Sequence, residues 1–133
     1  MPHVSYVGVL AAALSAFVLG GIWYSPMLFG NAWLHEIGKT KEQLGTRNIG
    51  VVFGGAFVLA FITAWVFATF LGPTVNVRFG AAAGFAAGLC WVGTSLGTSY
   101  LFEARSLKLW LINGGYFTLM FTIMGALLGL IHV

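Results

Sequence analysis

Four long apolar stretches, none with a lysine, arginine, aspartate or glutamate inside it, constrain this chain more than any other feature. They cover residues 4–22, 49–71, 79–101 and 109–131. The hydrocarbon core of a bilayer is about 30 Å thick and takes roughly 20 helical residues to cross. Strands of a membrane barrel would instead be about 10 residues long with alternating polarity. The sequence therefore predicts an all-α integral membrane protein, a single domain over residues 1–133 whose four transmembrane helices form a bundle.

The composition excludes the soluble classes. Of the 133 residues, 59% are hydrophobic and only 7% are charged, whereas soluble domains carry about 25% charged residues. A water-soluble enzyme or a disordered tail is therefore excluded. The net charge of +3 comes from few and scattered cations, which is not the clustered basic surface of a nucleic-acid reader. The expected partner is the lipid bilayer, with no nucleic acid.

The cations predict the orientation, because loops rich in lysine and arginine stay in the cytoplasm. Five of the six cations follow the first and third stretches, namely Lys39, Lys41, Arg47, Arg105 and Lys108, and Arg78 alone follows the second. The first and third loops are therefore expected to be cytoplasmic, with both termini outside. No lysine or arginine precedes the first stretch, so we expect a retained helix and not a cleaved signal peptide. The default location is a bacterial inner membrane.

The first loop is predicted to contain a short amphipathic helix over residues 26–37, lying in the membrane interface. Ser25 suits the N-cap, Pro26 the first helical position and Gly38 the glycine that ends a helix. Large apolar side chains recur at four-residue spacing, at Phe29, Trp33 and Ile37. Residues 40–43 have the spacing of a capping box and predict the start of another helix.

Small residues recur at every fourth position of the apolar stretches and predict close helix packing. In the third stretch they include Gly80, Gly84 and Gly88. We expect Gly84 and Gly88 to contact another helix, within the subunit or across a subunit boundary, and the third helix to be the central packing element. Four short helices cannot bury every such ridge, so a homo-oligomer or a complex with another membrane protein is expected.

Polar residues inside a membrane span are the default functional candidates. Four of them fall at a similar depth near the cytoplasmic end of the third and fourth stretches: Ser95, Thr98, Asn113 and Tyr116. They form a candidate intramembrane polar cluster. The alternative is structural, since hydroxyls in membrane helices bond a carbonyl one turn back and asparagine often joins two helices.

Three charged residues form a candidate ion pair at the cytoplasmic face. Glu36 or Glu103 is expected to pair with Arg105, because unpaired charge at the membrane boundary is costly. Proton or substrate handling is the alternative role.

No metal, cofactor or catalytic residue is predicted. His3 and His132 are both expected at the outer surface, but no third ligand accompanies them. Cys90 is expected to be a small packing residue in mid-membrane. The sequence contains no nucleophile–base pair, zinc spacing or phosphate-binding loop.

Two motifs carry a resemblance to a known family. The segment 21–33, GIWYSPMLFGNAW, and the run LFEAR at 101–105, continued by KLW at 108–110 and NGGY at 113–116, resemble the signatures of domain-of-unknown-function family 1761. Its members are small, mostly bacterial, four-helix membrane proteins. The resemblance covers the whole chain and implies that fold, but it implies no activity, cofactor or residue role.

A weak internal repeat accompanies the motifs. Each half of the chain has a helix, a loop with Leu-Phe and a Trp, and a returning helix. Such halves would be related by an axis along the membrane normal.

Three functions fit these features. The first is a non-enzymatic bundle that acts by self-association or as an accessory subunit. The alternative is a small passive transporter or channel, with a polar path near Ser95, Thr98 and Asn113. A membrane enzyme acting on lipid is a third hypothesis, supported only by His35, Glu36 and Glu103 at headgroup depth.

Overall fold

The computed structural model describes residues 4–133, of which 80% are helical and none lie in a strand. Four of its helical segments are long and apolar enough to cross a membrane: Tyr6–Trp23 (α1), Ile49–Leu71 (α4), Val77–Phe102 (the third span) and Leu107–Leu130 (α7). The predicted all-α membrane bundle is therefore confirmed. We call the side where α1 begins and α7 ends the termini side, and the opposite side the loop side.

Each spanning helix begins at a side chain that caps it. The oxygens of Ser5, Asn48, Asn76 and Ser106 accept a backbone N–H from the first turn of α1, α4, the third span and α7, respectively. Such caps satisfy an N–H that has no partner within the helix. They place the helix starts within two residues of those predicted, and α4 has the predicted bounds of 49–71.

The third span is not a uniform α-helix. It consists of α5 (Val77–Ala87), a π-helical segment (Gly88–Gly93) and α6 (Thr94–Phe102). A single π-bulge amounts to one extra residue in the helix. The residues beyond the bulge are therefore turned by about 100° relative to those before it.

The first loop contains α2 (Gly30–Ile37) and α3 (Lys41–Gly45). The helix predicted over 26–37 thus begins later, at Gly30, because Ser25 closes α1 instead of opening α2. Its carbonyl accepts the N–H of Gly30 at 2.9 Å, and its hydroxyl donates to the Ile22 carbonyl at 2.7 Å. Gly38, at φ +70°, ends α2, and both hydrogen bonds of the capping box start α3.

The central helix of the bundle is α7, which packs against both α1 and the third span, whereas α4 packs mainly on α1. This differs from the prediction that the third helix is central. We call the contact between α1 and α7 the closed seam, and the space between α4 and the third span the open seam. Most of the buried core lies around α1, among Val9, Ala12, Ala13, Ala16, Ala64, Phe67, Ala68, Met120, Met124 and Leu128.

Candidate functional site

A hydrogen-bonded triad joins three helices on the loop side. The hydroxyl of Tyr24, just beyond α1, donates to Oδ1 of Asn113 at 2.6 Å. Nδ2 of Asn113 on α7 in turn donates to the hydroxyl oxygen of Tyr100 on α6 at 2.8 Å. Burial raises the pKa of the Tyr24 phenol above its ordinary value, so the phenol stays protonated and donates. The Asn113 amide therefore ties the ends of α1 and α6 to α7.

Aromatic N–H and O–H groups reinforce this end of the bundle. Nε1 of Trp23 donates to the Ile112 carbonyl at 2.9 Å, and the Tyr116 hydroxyl donates to the Ala16 carbonyl at 2.9 Å. Both bonds cross the closed seam. Each bond gives an acceptor to a donor that lies away from water, where an unpaired polar group costs free energy.

The structure does not bring Ser95 and Thr98 to Asn113 and Tyr116. The Ser95 hydroxyl donates to the Trp91 carbonyl at 2.5 Å, and the Thr98 hydroxyl donates to the Thr94 carbonyl at 3.1 Å. Both residues are exposed on the outer surface of the bundle. The physical reason is the π-helical segment, which turns them away from the face of Gly84 and Gly88.

Four hydroxyl residues share this outward side of α6. They are Thr94, Ser95, Thr98 and Ser99, all exposed, and we call them the hydroxyl face. The Ser99 hydroxyl donates to Oε2 of Glu103 at 2.7 Å. Every one of these hydroxyls thus has an acceptor within the third span or the turn that follows it.

The charged residues on the loop side form two separate groups. Nε of Arg105 lies 3.3 Å from Oε1 of Glu103, and both side chains are nearly half exposed. Glu36 does not join them: its carboxylate accepts the hydroxyl of Ser106 and lies 3.1 Å from Nδ1 of His35. Of the two pairings predicted for Arg105, the structure contains the one with Glu103.

Hydrogen bonding keeps both carboxylates ionised. The Ser106 hydroxyl, followed by His35, lowers the pKa of Glu36 below its ordinary value. The Ser99 hydroxyl, followed by Arg105, does the same for the pKa of Glu103. The side chain of Glu36 is only 15% exposed, and Ser106 also caps α7. Glu36 therefore fastens α2 to the start of α7.

Gly84 and Gly88 lie directly against the backbone of α7. A Cβ at Gly84 would collide with the carbonyl oxygen of Phe121, and one at Gly88 would come within 2.7 Å of the Phe117 carbonyl oxygen. Gly80 and Gly125 meet in the same way further along. Contact at such close range requires the absence of a side chain.

No group of three or more metal-ligating side chains occurs within residues 4–133. Of the two histidines considered for metal, His132 is 2.8 Å from the Gly129 carbonyl through Nε2, while His3 lies outside the described residues. His35 contacts Glu36, as above, and its side chain is 86% exposed.

The open seam contains a groove on the termini-side half of the bundle. Its volume is about 670 Å³, and apolar side chains of α4 and the third span form its walls. Phe121 of α7 also lines it. Phe70 and Trp91 contact each other edge to face across the seam, with ring centroids 6.1 Å apart. Cys90, expected to be a packing residue, is exposed and lines this groove.

Tyr24, Tyr100 and Ser106 were not among the site residues predicted from sequence. The signal for the tyrosines is their place at the end of a span, where interfacial rings collect. For Ser106 the signal is its place just before an apolar helix, typical of an N-cap. The groove has no sequence signal, because it depends on the spacing between two helices that are distant in the chain.

Comparison with known proteins gives a family and nothing finer. The pattern described as "Protein of unknown function (DUF1761)" matches residues 7–129. Comparison with curated proteins and with solved structures found no match to the chain. The match covers nearly all of the chain, including both loop-side motifs, and confirms the resemblance noted from sequence. The chain, with its four helices long and apolar enough to cross a membrane, belongs to the DUF1761 family, whose function is unknown.

Proposed function

We propose that the protein is a non-enzymatic membrane bundle that acts by association, with itself or as an accessory subunit of a larger membrane complex. The observation that carries this proposal is the hydroxyl face of α6. Its four small polar residues lie on the outer surface, where a lone bundle would present them to lipid. Helix interfaces in membranes are enriched in such residues, because small side chains let two backbones approach closely.

The neighbourhood of the hydroxyl face supports the same function. The side chains that follow it, Leu101 and Phe102, are 84% and 89% exposed. Small residues flanked by large exposed apolar ones offer a shallow recess into which a partner helix can pack. The triad behind it, Tyr24–Asn113–Tyr100, holds α6 firmly on α7 and so presents a fixed surface.

Oxidative crosslinking tests this surface directly. Thr98→Cys, in a Cys90→Ala background, should form a covalent dimer or a covalent complex with another membrane protein when native membranes are oxidised. Val58→Cys on α4 is the matched control, because Val58 is also exposed within its span. Equal yields at the two positions, or monomer only at Thr98→Cys, would contradict the proposal.

A passive pore between subunits is the second candidate, and the same outward hydroxyls favour it. Two or more copies meeting at this face would line their shared boundary with Ser95 and Thr98. The two functions differ in solute flux. Liposomes containing the protein should swell in glycerol no faster than empty ones if it acts by association. Faster swelling that Thr98→Val abolishes would instead establish the pore.

A further inference from the structure

The groove in the open seam has the depth of one membrane leaflet. Its walls run from Thr63 to Leu71 on α4 and from Phe79 to Val92 on the third span. At 1.5 Å per residue these walls are roughly 12 Å and roughly 20 Å long. Half of a hydrocarbon core of about 30 Å is about 15 Å. A partner's transmembrane helix needs a groove of twice that depth, whereas a lipid tail does not.

The lining of the groove suits a hydrocarbon chain. The polar side chains in its lining are chiefly those of Thr63 and Cys90. The Thr63 hydroxyl already donates a hydrogen bond to the Leu59 carbonyl at 2.8 Å. The other walls are aromatic or aliphatic side chains. Sites for small apolar ligands are clefts of about 300–1,000 Å³ with such linings.

Charge at the membrane surface favours an anionic headgroup. Arg78 is in the first turn of α5, one residue before Phe79, which lines the groove. All three acidic side chains of the chain, Glu36, Glu42 and Glu103, belong to the first and third loops on the opposite side. Within the part of the chain that the structure describes, Arg78 forms no ion pair. A phosphate at headgroup depth would complement this cation.

We infer that the groove binds one anionic phospholipid of the termini-side leaflet, with an acyl chain between α4 and the third span and its phosphate near Arg78. The site is independent of the hydroxyl face, which lies on α6 nearer the loop side. Lipid bound here would fill the seam that the protein leaves unpacked. Binding at this seam is therefore separable from association through α6.

Native mass spectrometry of the full chain tests this inference, with phosphatidylglycerol and phosphatidylcholine as probes added to delipidated protein in detergent. The wild type should retain one phosphatidylglycerol in preference to phosphatidylcholine. Ala86→Trp fills the groove and should weaken retention about tenfold or more, because the displaced tail loses its apolar contacts. Thr63→Trp blocks the same groove from α4 and should act alike.

Two controls separate this site from the lipid that surrounds any membrane protein. Ala82→Trp changes another exposed alanine of α5, one that does not line the groove, and should retain lipid as the wild type does. Arg78→Gln should remove the preference for phosphatidylglycerol, while Lys39→Gln in the first loop should not. Retention unchanged by both groove-filling variants would overturn the inference. A protein dimer that these variants dissociate, with no lipid retained by the wild type, would also overturn it and assign the groove to a second copy.

Discussion

The two seams of the bundle differ although the chain topology makes them comparable. Each joins the first helix of one half of the chain to the second helix of the other half, and a strict two-fold repeat would make them equivalent. The closed seam is packed and crossed by hydrogen bonds from Trp23 and Tyr116. In the open seam, a groove of about 670 Å³ separates α4 from the third span. The weak repeat in the sequence therefore does not extend to the packing.

Side-chain size accounts for this difference. In the closed seam, α1 presents the small residues Ala16 and Gly20 to Tyr116 of α7, and small side chains allow helices to approach. In the open seam the side chains that meet are large: the rings of Phe70 and Trp91 contact each other and line the groove, although they are 76% and 64% exposed. Rings of this size do not let two backbones approach as closely as alanine or glycine does. The two seams are thus alike in topology, but the closed seam is a packed helix contact and the open seam is a candidate binding site.

The largest expected effect is at the contact of the third span with α7, which sets one wall of the open seam. Gly84→Leu should lower stability by about 1–3 kcal/mol or more, because the new side chain meets the backbone at Phe121. Thermal unfolding in detergent measures the change. Gly54→Leu on α4 is the matched control, since nothing lies within 4 Å of a Cβ there. Equal stability of the two variants would show that the third span does not pack on α7 through this glycine.

The second-largest loss of stability is expected at the hydrogen-bonded triad of Tyr24, Asn113 and Tyr100. Asn113→Ala removes the partner of both Tyr24 and Tyr100 and should cost about 1–3 kcal/mol, the penalty for polar groups left without partners. The measurement is the unfolding temperature, with Thr118→Ala as control, because the Thr118 hydroxyl bonds only its own helix. A smaller loss in Asn113→Ala than in the control would argue against a triad that joins three helices.

A single bond across the closed seam should have a smaller effect. Tyr116→Phe removes the hydroxyl that donates to Ala16 and should destabilise by about 0.6 kcal/mol, the average for hydrogen bonds between membrane helices. Tyr6→Phe serves as the comparison, because Tyr6 is 62% exposed at the start of α1. If both variants unfold like the wild type, the hydrogen bond from Tyr116 adds nothing to the stability of the closed seam.

The smallest effect is expected at the loop side, where α2 meets α7. The pKa of Glu36 is lowered from 4.5 in the folded protein, so its ionised contacts stabilise the fold above that pH and are lost as the pH falls through the folded pKa. Glu36→Gln should therefore reduce the drop in unfolding temperature between neutral pH and acid.

The pKa of Glu103 is also lowered, chiefly by the Ser99 hydroxyl and then by Arg105, so this carboxylate contributes to the acid-induced drop as well. The comparison is best made in a Glu103→Gln background, with Glu42→Gln as the charge-matched control. An acid-induced drop that is the same with and without Glu36 would show that its bond to Ser106 adds nothing to stability.

The sequence predicts those features that depend on neighbouring residues. The bounds of α4 follow from Asn48 before it and Gly72, at φ +86°, after it. Gly38 ends α2 and residues 40–43 start α3 for the same local reasons. The close approach of Gly84 and Gly88 to α7 also follows the pattern of small residues at every fourth position.

The features that the sequence does not reveal arise from changes of helical phase and from distant contacts. The grouping of Ser95 and Thr98 with Asn113 assumed one regular helix, and the π-helical segment turns them outward. Serine is a favoured N-cap residue, but the Ser25 hydroxyl donates its hydrogen bond to the Ile22 carbonyl at the end of α1. The open seam depends on rings from α4 and the third span that meet only in the folded bundle.

The reactivity of the native Cys90 tests the difference between the seams most directly. Cys90 is exposed and lines the open seam, whereas Ala16 is 3% exposed in the closed seam. In folded protein that has been delipidated in detergent, so that no phospholipid covers the groove, a methanethiosulfonate spin label should react fully with Cys90. It should leave Ala16→Cys, in a Cys90→Ala background, unmodified until the protein is denatured. If Cys90 is protected until denaturation, or if both thiols react alike, the contrast between an open and a closed seam is contradicted.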